Sequence, residues 1–466
     1  MNYLYTGDCL DILRQNIKAE SVDLVYIDPP FNSKRNYNIF FDDKDIKSQR
    51  VAFTDTWSLK NTQDSLSELQ AMKTESLHQL LMAYSDVAPF AFPYLVMMSL
   101  RIIELRRVLK ETGSFYLHVD PAMSHYLKTI CDVIFGIGKY RNEIVWCYSG
   151  GGVPRNDFPR KHDIILRYSK TKDVVFNVER KDYKDNTQAV GKHSTLSNGN
   201  VEIDLERGTP VTDWWTDLKT ITGWAKEKLG YPTQKPLSLL ERIIKTSSNK
   251  GDVVLDAFCG CGTTIDAAEK LGRSWIGIDI SIIATGIIER RLRATFGKVL
   301  SKYRVKGIPT DEQTAKKLWE RDPFAFQDWF ITEFGAFSST FGTKGADKGI
   351  DGIAKYRAGR DGKTIRAGFQ VKGGKVQSKD IDALWGAMNK HKCDLGVFLS
   401  INKLTKPMLE TISKSGYAEA SGKKFPKLQF LTLKDFFANK HLRLPPENIT
   451  FESARLKGKG FTQIEF

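Results

Sequence analysis

Hydrophobic and polar positions follow two rhythms along residues 1–295. Short apolar runs predict strands: SVDLVYID (21–28), SFYLHVD (114–120), NEIVWCYS (142–149), DIILRYS (163–169), GDVVLDAF (251–258) and SWIGIDI (274–280). Between them, stretches with a three-to-four-residue period predict helices. These are LVMMSLRIIELRRVLKETG (95–113), with Gly113 just past its end, MSHYLKTICDVIFG (123–136), LSLLERIIKTSS (237–248), TTIDAAEKLG (263–272) and IIATGIIERRLRAT (282–295). Such alternation predicts an α/β domain with a mainly parallel sheet covered by helices. In these sheets ligands bind beyond the carboxyl ends of the strands. Residues 171–230 are polar and weakly periodic and interrupt the pattern; 296–320 read as a polar connector. A second alternating region, 321–445, predicts a smaller α/β domain, and 446–466 a polar tail.

Length agrees with more than one domain, since 466 residues exceed a single ordinary core. Seventy Lys and Arg against 55 Asp and Glu leave a formal charge of +15. That excess favours a polyanionic partner without identifying one. No run approaches the ~18 apolar residues of a membrane span, so no membrane partner is expected. The opening MNYLYTGDCLDIL lacks the basic and apolar regions of a signal peptide. The six cysteines form no CxxC pair, which predicts a reduced, cytoplasmic chain without a zinc site.

Two strand ends carry the chemistry. The buried-looking run 22–27 stops on Asp28, Pro29, Pro30 and Phe31, a corner that forfeits two backbone N–H groups beside a carboxylate. Such a corner is costly for stability alone and points to a site. The second strand end is Asp256, followed by the turn Phe258-Cys259-Gly260-Cys261-Gly262 and a helix near Thr263; the next strand ends on Asp279. Glycines there let a ligand lie against the backbone, and an acid at the next strand end can accept two ribose hydroxyls. The full GxGxxG and GK[ST] patterns are absent, so this motif alone implies a nucleoside-like cofactor and no more.

Together, DPPF and FCGCGTT resemble the amino-methylating DNA methyltransferases that use S-adenosylmethionine, whose catalytic tetrapeptide is D/N/S-P-P-Y/F/W and whose cofactor loop is FxGxG. The order resembles the β-class arrangement, and TGDCLDIL, RVLKETGSFYLHVD and YPTQKPLSLLERII fall where that class has further motifs. Ala257 departs from the proline of many relatives. The resemblance implies a Rossmann-like fold, double-stranded DNA as partner and a base taken out of the duplex. Asp28 and the Pro29 carbonyl would then accept the two N–H bonds of the target amine, localising its lone pair, while Phe31 stacks on the base. Asp279 would take the cofactor ribose, Phe258, Gly260 and Gly262 form its loop, and Asp8 lie near its adenine. Thr233, Gln234 and Lys235, before a helix that Pro236 opens, would receive the methionine carboxylate. DPPF leans toward adenine N6, with cytosine N4 the alternative. A carbon-5 enzyme needs a cysteine nucleophile, commonly after proline, and there is no Pro-Cys dipeptide.

Residues 171–230 occupy the family's place for target recognition. Within DWWTDL (213–218) at least one tryptophan is expected to pack in the core. Arg155, Arg160, Lys161 and Arg167 are candidates for phosphate contact, with solvated charge the plainer reading of each.

The second region contains KGADKGIDGIAKYRAGRDGKTIRAGFQVKGG (344–374), read as a hairpin closed at Asp361-Gly362. It resembles the PD-(D/E)xK restriction-nuclease fold in its Mrr-like branch. Asp351 would hold Mg²⁺, Gln370 replaces the second acid and Lys372 would stand beside the attacking water. Glu333, in FQDWFITEF, is a further carboxylate candidate. Cleavage, or a nuclease-like module that only binds DNA, both fit these residues. A restriction nuclease whose first domain mainly reads DNA is the rival reading, and a homodimer stays open.

Overall fold

The computed structural model describes residues 1–31, 36–43, 46–54, 62–72, 74–149, 154–182, 195–196, 199–200, 208–221, 227, 229, 233–338, 349–357 and 364–450. Its centre is a nine-stranded sheet. In chain order the strands are β1 (Asn2–Thr6), β2 (Val22–Ile27), β3 (Leu109–Val119), β4 (Tyr140–Cys147), β5 (His162–Ser169), β6 (Trp214–Trp215), β7 (Val253–Asp256), β8 (Ser274–Asp279) and β9 (Tyr303–Lys306). They lie in the order β6-β4-β5-β3-β2-β7-β8-β1-β9. From β3 to β9 every pairing is parallel; β5 is antiparallel to both β3 and β4.

The continuous apolar run of β2 follows from its place. Every residue is buried, with Val25 and Ile27 facing one core and Leu24 and Tyr26 the other. A strand covered on both faces needs no polar alternation. The layers over the sheet include α1 (Cys9–Asn16), α2 (Phe92–Val108), α3 (Ser124–Phe135), α4 (Leu237–Ser247), α5 (Thr263–Lys270) and α6 (Ile282–Phe296). This is a Rossmann-like fold, and β2, β7, β8 and β1 end side by side on one edge.

Several expectations are corrected. Gly113 does not follow a helix: α2 ends at Val108 and β3 starts at once, so Gly113 lies inside a strand. A Cβ there would meet the Leu109 side chain at 2.6 Å. The stretch 296–320 is more than a connector, because Tyr303–Lys306 pairs with β1 as the outermost strand. Arg167 is buried in β5 with its guanidinium 4.4 Å from the centroid of the Phe176 ring, so it braces the fold and does not reach a phosphate. Of the paired tryptophans, Trp215 packs in the core and Trp214 is exposed.

The second domain is a six-stranded sheet of β10 (Phe337–Ser338), β11 (Gly352–Arg357), β12 (Thr364–Lys372), β13 (Leu395–Ser400), β14 (Leu428–Thr432) and β15 (Glu447–Asn448). The antiparallel β11–β12 pair is the expected hairpin; its Asp361-Gly362 tip lies outside the described residues. The tail begins later than expected, since β15 pairs with β11 and Lys355 bonds Thr450. Helices α7 (Glu312–Arg321) and α8 (Pro323–Glu333) lead into this domain. Helix α8 packs on α6, where the Thr332 Cγ2 would stand 2.7 Å from any Cβ added to Gly286. Arg290 donates to the Thr332 carbonyl at 3.5 Å.

Candidate active site

Four neighbouring parallel strands each deliver a carboxylate at or just beyond the carboxyl edge: Asp28 after β2, Asp256 on β7, Asp279 on β8 and Asp8 after β1. With strands about 4.8 Å apart, the row spans a distance suited to an elongated nucleoside ligand. The acids open on a cavity of about 460 Å³. All of the catalytic and cofactor-binding candidates from the first domain line it except Gly262, and Arg101, Tyr26, Cys259, Cys261 and Thr264 join them; the four basic phosphate candidates do not. Gly262 acts from behind. It precedes α5 in the left-handed region, at φ +77°, and a Cβ would lie 2.7 Å from Ile288 Cγ1.

Around Asp279, Asp256 and Asp8 the cleft is lined by carboxylates that backbone and side-chain donors hold in place. Asp279 accepts the Gly260 N–H and the Ser281 N–H, each at 2.8 Å. Burial lifts its carboxyl to about 6, against those two bonds. Asp256 accepts from Phe258 N at 3.0 Å and Thr264 Oγ1 at 2.5 Å. Burial raises it to about 7, and Asp28 and Asp279 add to the rise. Asp8 caps α1 through Leu10 N at 2.8 Å and is held by Arg101 at 2.7 and 2.9 Å. A small turn, a ring of acceptors and a roomy cavity fit the ribose and adenine of S-adenosylmethionine.

The other half is the DPPF corner. Phe31 stacks with His118, centroids 6.4 Å apart at 27°. His118 is fully buried. Its Nδ1 lies 2.9 Å from the Tyr26 hydroxyl and its Nε2 3.1 Å from Asp163 Oδ2. Since an ionised carboxylate only accepts, Nε2 carries a proton. Burial raises Asp163, but bonds from His118 and Tyr148 and the charge of Lys235 outweigh it and hold the carboxyl below its usual value. Lys235 itself reaches both oxygens of Asp28, at 2.7 and 2.9 Å. Gln234 donates to the Glu227 carbonyl at 2.7 Å, and Thr233 adopts φ +59°.

In the second domain Asp351 accepts the Val371 N–H at 2.7 Å. Gln370 is buried, with Oε1 lacking a hydrogen-bond partner among the described residues. Lys372 lies 3.2 Å from Asp380. The charged groups acting on Glu333 are Glu289, Arg290 and Arg293 of α6, and burial raises its carboxyl. Among the described residues no three His, Cys, Asp or Glu side chains gather around a point suited to a metal ion.

The fold and cleft define an α/β protein with a row of strand-end carboxylates opening on one cavity beside the Asp28–Phe31 corner. A DNA methylase family model matches residues 22–289, and the chain belongs to that family. It is an S-adenosylmethionine-dependent DNA methyltransferase. A restriction endonuclease model matches residues 331–427, so the C-terminal domain is restriction-endonuclease-like. The chain is 24% identical over 350 residues to the Type II methyltransferase M.EcaI of Enterobacter cloacae, covering 62% of this chain and 69% of that one. It is 28% identical over 284 residues to the DNA adenine methyltransferase YhdJ of Escherichia coli, covering 59% and 77%. The solved PvuII DNA methyltransferase (cytosine-N4-specific) is 14% identical, with 62% of this chain and 86% of that one covered and a TM-score of 0.40. No helix of the described residues is long and apolar enough to cross a membrane.

Proposed function

We propose that the enzyme methylates adenine N6 in a specific double-stranded DNA sequence, within a restriction-modification or DNA-marking role in the cytoplasm. The observation that carries this reading is the meeting, at one cavity, of Asp28 and Phe31 with the Asp279 loop. Bound there, S-adenosylmethionine supplies an electrophilic methyl group on a sulfonium. The chain's own part is to hold the acceptor. Asp28 takes one N–H of the exocyclic amine and the Pro29 carbonyl takes the other, so the nitrogen moves toward tetrahedral geometry with its lone pair free. Phe31 supports the flipped base by stacking. Asp279 fixes the ribose, Asp8 stands near the adenine, and Phe258, Gly260, Gly262, Thr263 and Asp256 shape the loop. The adenine activity named for YhdJ and the aspartate in DPPF both favour N6 over cytosine N4.

The same reading assigns target recognition to residues 171–230 and Mg²⁺-dependent DNA cleavage to 321–445. Asp351 and the orphaned Gln370 Oε1 would supply two of the six oxygens that Mg²⁺ takes, with Lys372 near the phosphate. Two copies of the chain would serve the two strands of a symmetric target.

The test uses unmethylated plasmid, labelled S-adenosylmethionine, and the wild type or Asp28→Ala. Label in N6-methyladenine with the wild type alone is expected. Label in N4-methylcytosine overturns the base, and no label in DNA, with cofactor bound, overturns the reading. Plasmid linearised in Mg²⁺ by the wild type but not by Lys372→Ala tests the second site.

A further inference from the structure

Lys235 does not sit where its sequence neighbours suggested. It precedes α4, whose N-terminus was expected to receive the cofactor carboxylate. That end already has an anion from the chain itself, since Glu227 Oε2 accepts the Leu237 N–H at 2.9 Å. Gln234 ties the same segment down through Leu229 N and the Glu227 carbonyl. The lysine ammonium turns the other way, to 2.9 Å from Asp28 Oδ1 and 2.7 Å from Oδ2. Both side chains are largely buried, at 10% and 16% exposure. The same Nζ is 5.3 Å from the centroid of the Phe31 ring. One cation therefore touches both halves of the corner: the acceptor of the amine and the platform for the base. Behind it, Asp163 and His118 carry the contact round to Phe31, and Trp146 meets His118 edge-on at 5.7 Å.

Building on the proposed role of Asp28, we infer that Lys235 is a positioning residue for methyl transfer, which orients the Asp28 carboxylate and fastens it to Phe31, and is not a ligand of the cofactor carboxylate. The reasoning is geometric. The last torsion of an aspartate is broad and nearly two-fold, so nothing in Asp28 alone fixes its plane. Each oxygen offers about two lone-pair directions. A lysine bonded to both oxygens uses one on each and sets the plane, leaving the others for the amine N–H. Two opposite charges brought together also spare the partly buried corner an uncompensated carboxylate. Pre-organising the acceptor in this way acts on the chemical step more than on either binding step.

The test separates those steps in the full-length protein. Lys235→Met is expected to lower kcat for plasmid methylation by about 30-fold or more, with affinity for S-adenosylhomocysteine by calorimetry within about twofold of the wild type. Lys235→Arg, which keeps the charge, recovers part of the loss. In an Asp28→Asn background, where the acceptor geometry is already altered, Lys235→Met costs about threefold at most. A cofactor affinity that falls about tenfold while kcat at saturating cofactor stays near the wild type overturns the inference, as does full activity of Lys235→Met. If Lys235→Met fails to fold, Lys235→Arg decides: altered kcat with unchanged cofactor affinity supports the inference, and the reverse overturns it. The inference fails alone if Asp28→Ala abolishes label transfer and Lys235→Met transfers label at the wild-type rate. The reading beneath it fails if Asp28→Ala stays active.

Discussion

Acidifying the solution from pH 8 to pH 5 should weaken cofactor binding through one carboxyl, Asp279. Burial sets that group at about 6, even with the Gly260 and Ser281 N–H groups donating to it. Ribose hydroxyls donate best to an ionised carboxylate, so affinity follows the ionised fraction. That fraction falls from about 99% at pH 8 to about 9% at pH 5, an affinity loss of about tenfold or 1.4 kcal/mol. The sign is fixed: protonation of the free enzyme competes with the ligand, and binding weakens as pH falls through 6. Asp256, at about 7, protonates first and removes a neighbouring negative charge, which keeps the Asp279 transition from drifting higher. Asp279→Asn has no such titration. Its amide must also turn a nitrogen toward one of two backbone N–H donors, so affinity at pH 8 should fall by at least about 2 kcal/mol, or 30-fold. Calorimetric titration with S-adenosylhomocysteine at half-unit pH steps, with the fold monitored by circular dichroism, gives both numbers. A wild-type affinity flat from pH 8 to pH 5 with the fold intact would refute the argument.

Asp256 makes a stability prediction of its own. Its folded value of about 7 lies above the usual 3.8, so its stabilising contribution is complete below about pH 4 and is lost as pH rises to 7. Asp256→Asn should therefore gain on the wild type by up to about 4 kcal/mol between pH 4 and pH 8, read from urea melts; a constant difference would contradict this. Gly262→Ala combines an αL backbone with a Cβ 2.7 Å from Ile288. It should cost about 1–3 kcal/mol of stability and disturb cofactor binding, both measurable by melting with and without ligand. Gly286→Leu would drive a side chain into Thr332 and part α6 from α8, seen as a second unfolding transition and faster proteolysis between the domains; a single unchanged transition would count against that packing.

The strand-end acids were legible because a two-sided strand is apolar along its whole length and stops abruptly. Val22–Ile27 is buried throughout, so a carboxylate after it stands out. What was missed lacked that contrast. Arg101 carries no signal of its own in the helical pattern, yet α2 is buried on nearly every face and the arginine bonds Asp8. His118 and Asp163 lie 45 residues apart on adjacent antiparallel strands, and only the pairing register brings them together. Strand β9 was hidden because YRVK only half-buries one face of four residues within a charged stretch. The direction of Lys235 was out of reach for the same reason as His118, since its partner is 207 positions away.

The outermost strand also decides where this protein can be cut. A chain ended at residue 295 would remove Tyr303–Lys306 and leave β1 as a bare parallel edge, with N–H and C=O groups exposed for another chain to pair with. It would also sever the turn at Gly307, whose backbone passes so close to Thr6 that a Cβ would lie 2.0 Å from that residue's carbonyl oxygen. A cut just beyond Gly307 keeps that edge covered, and a boundary drawn a dozen residues earlier should yield a stickier, less soluble fragment.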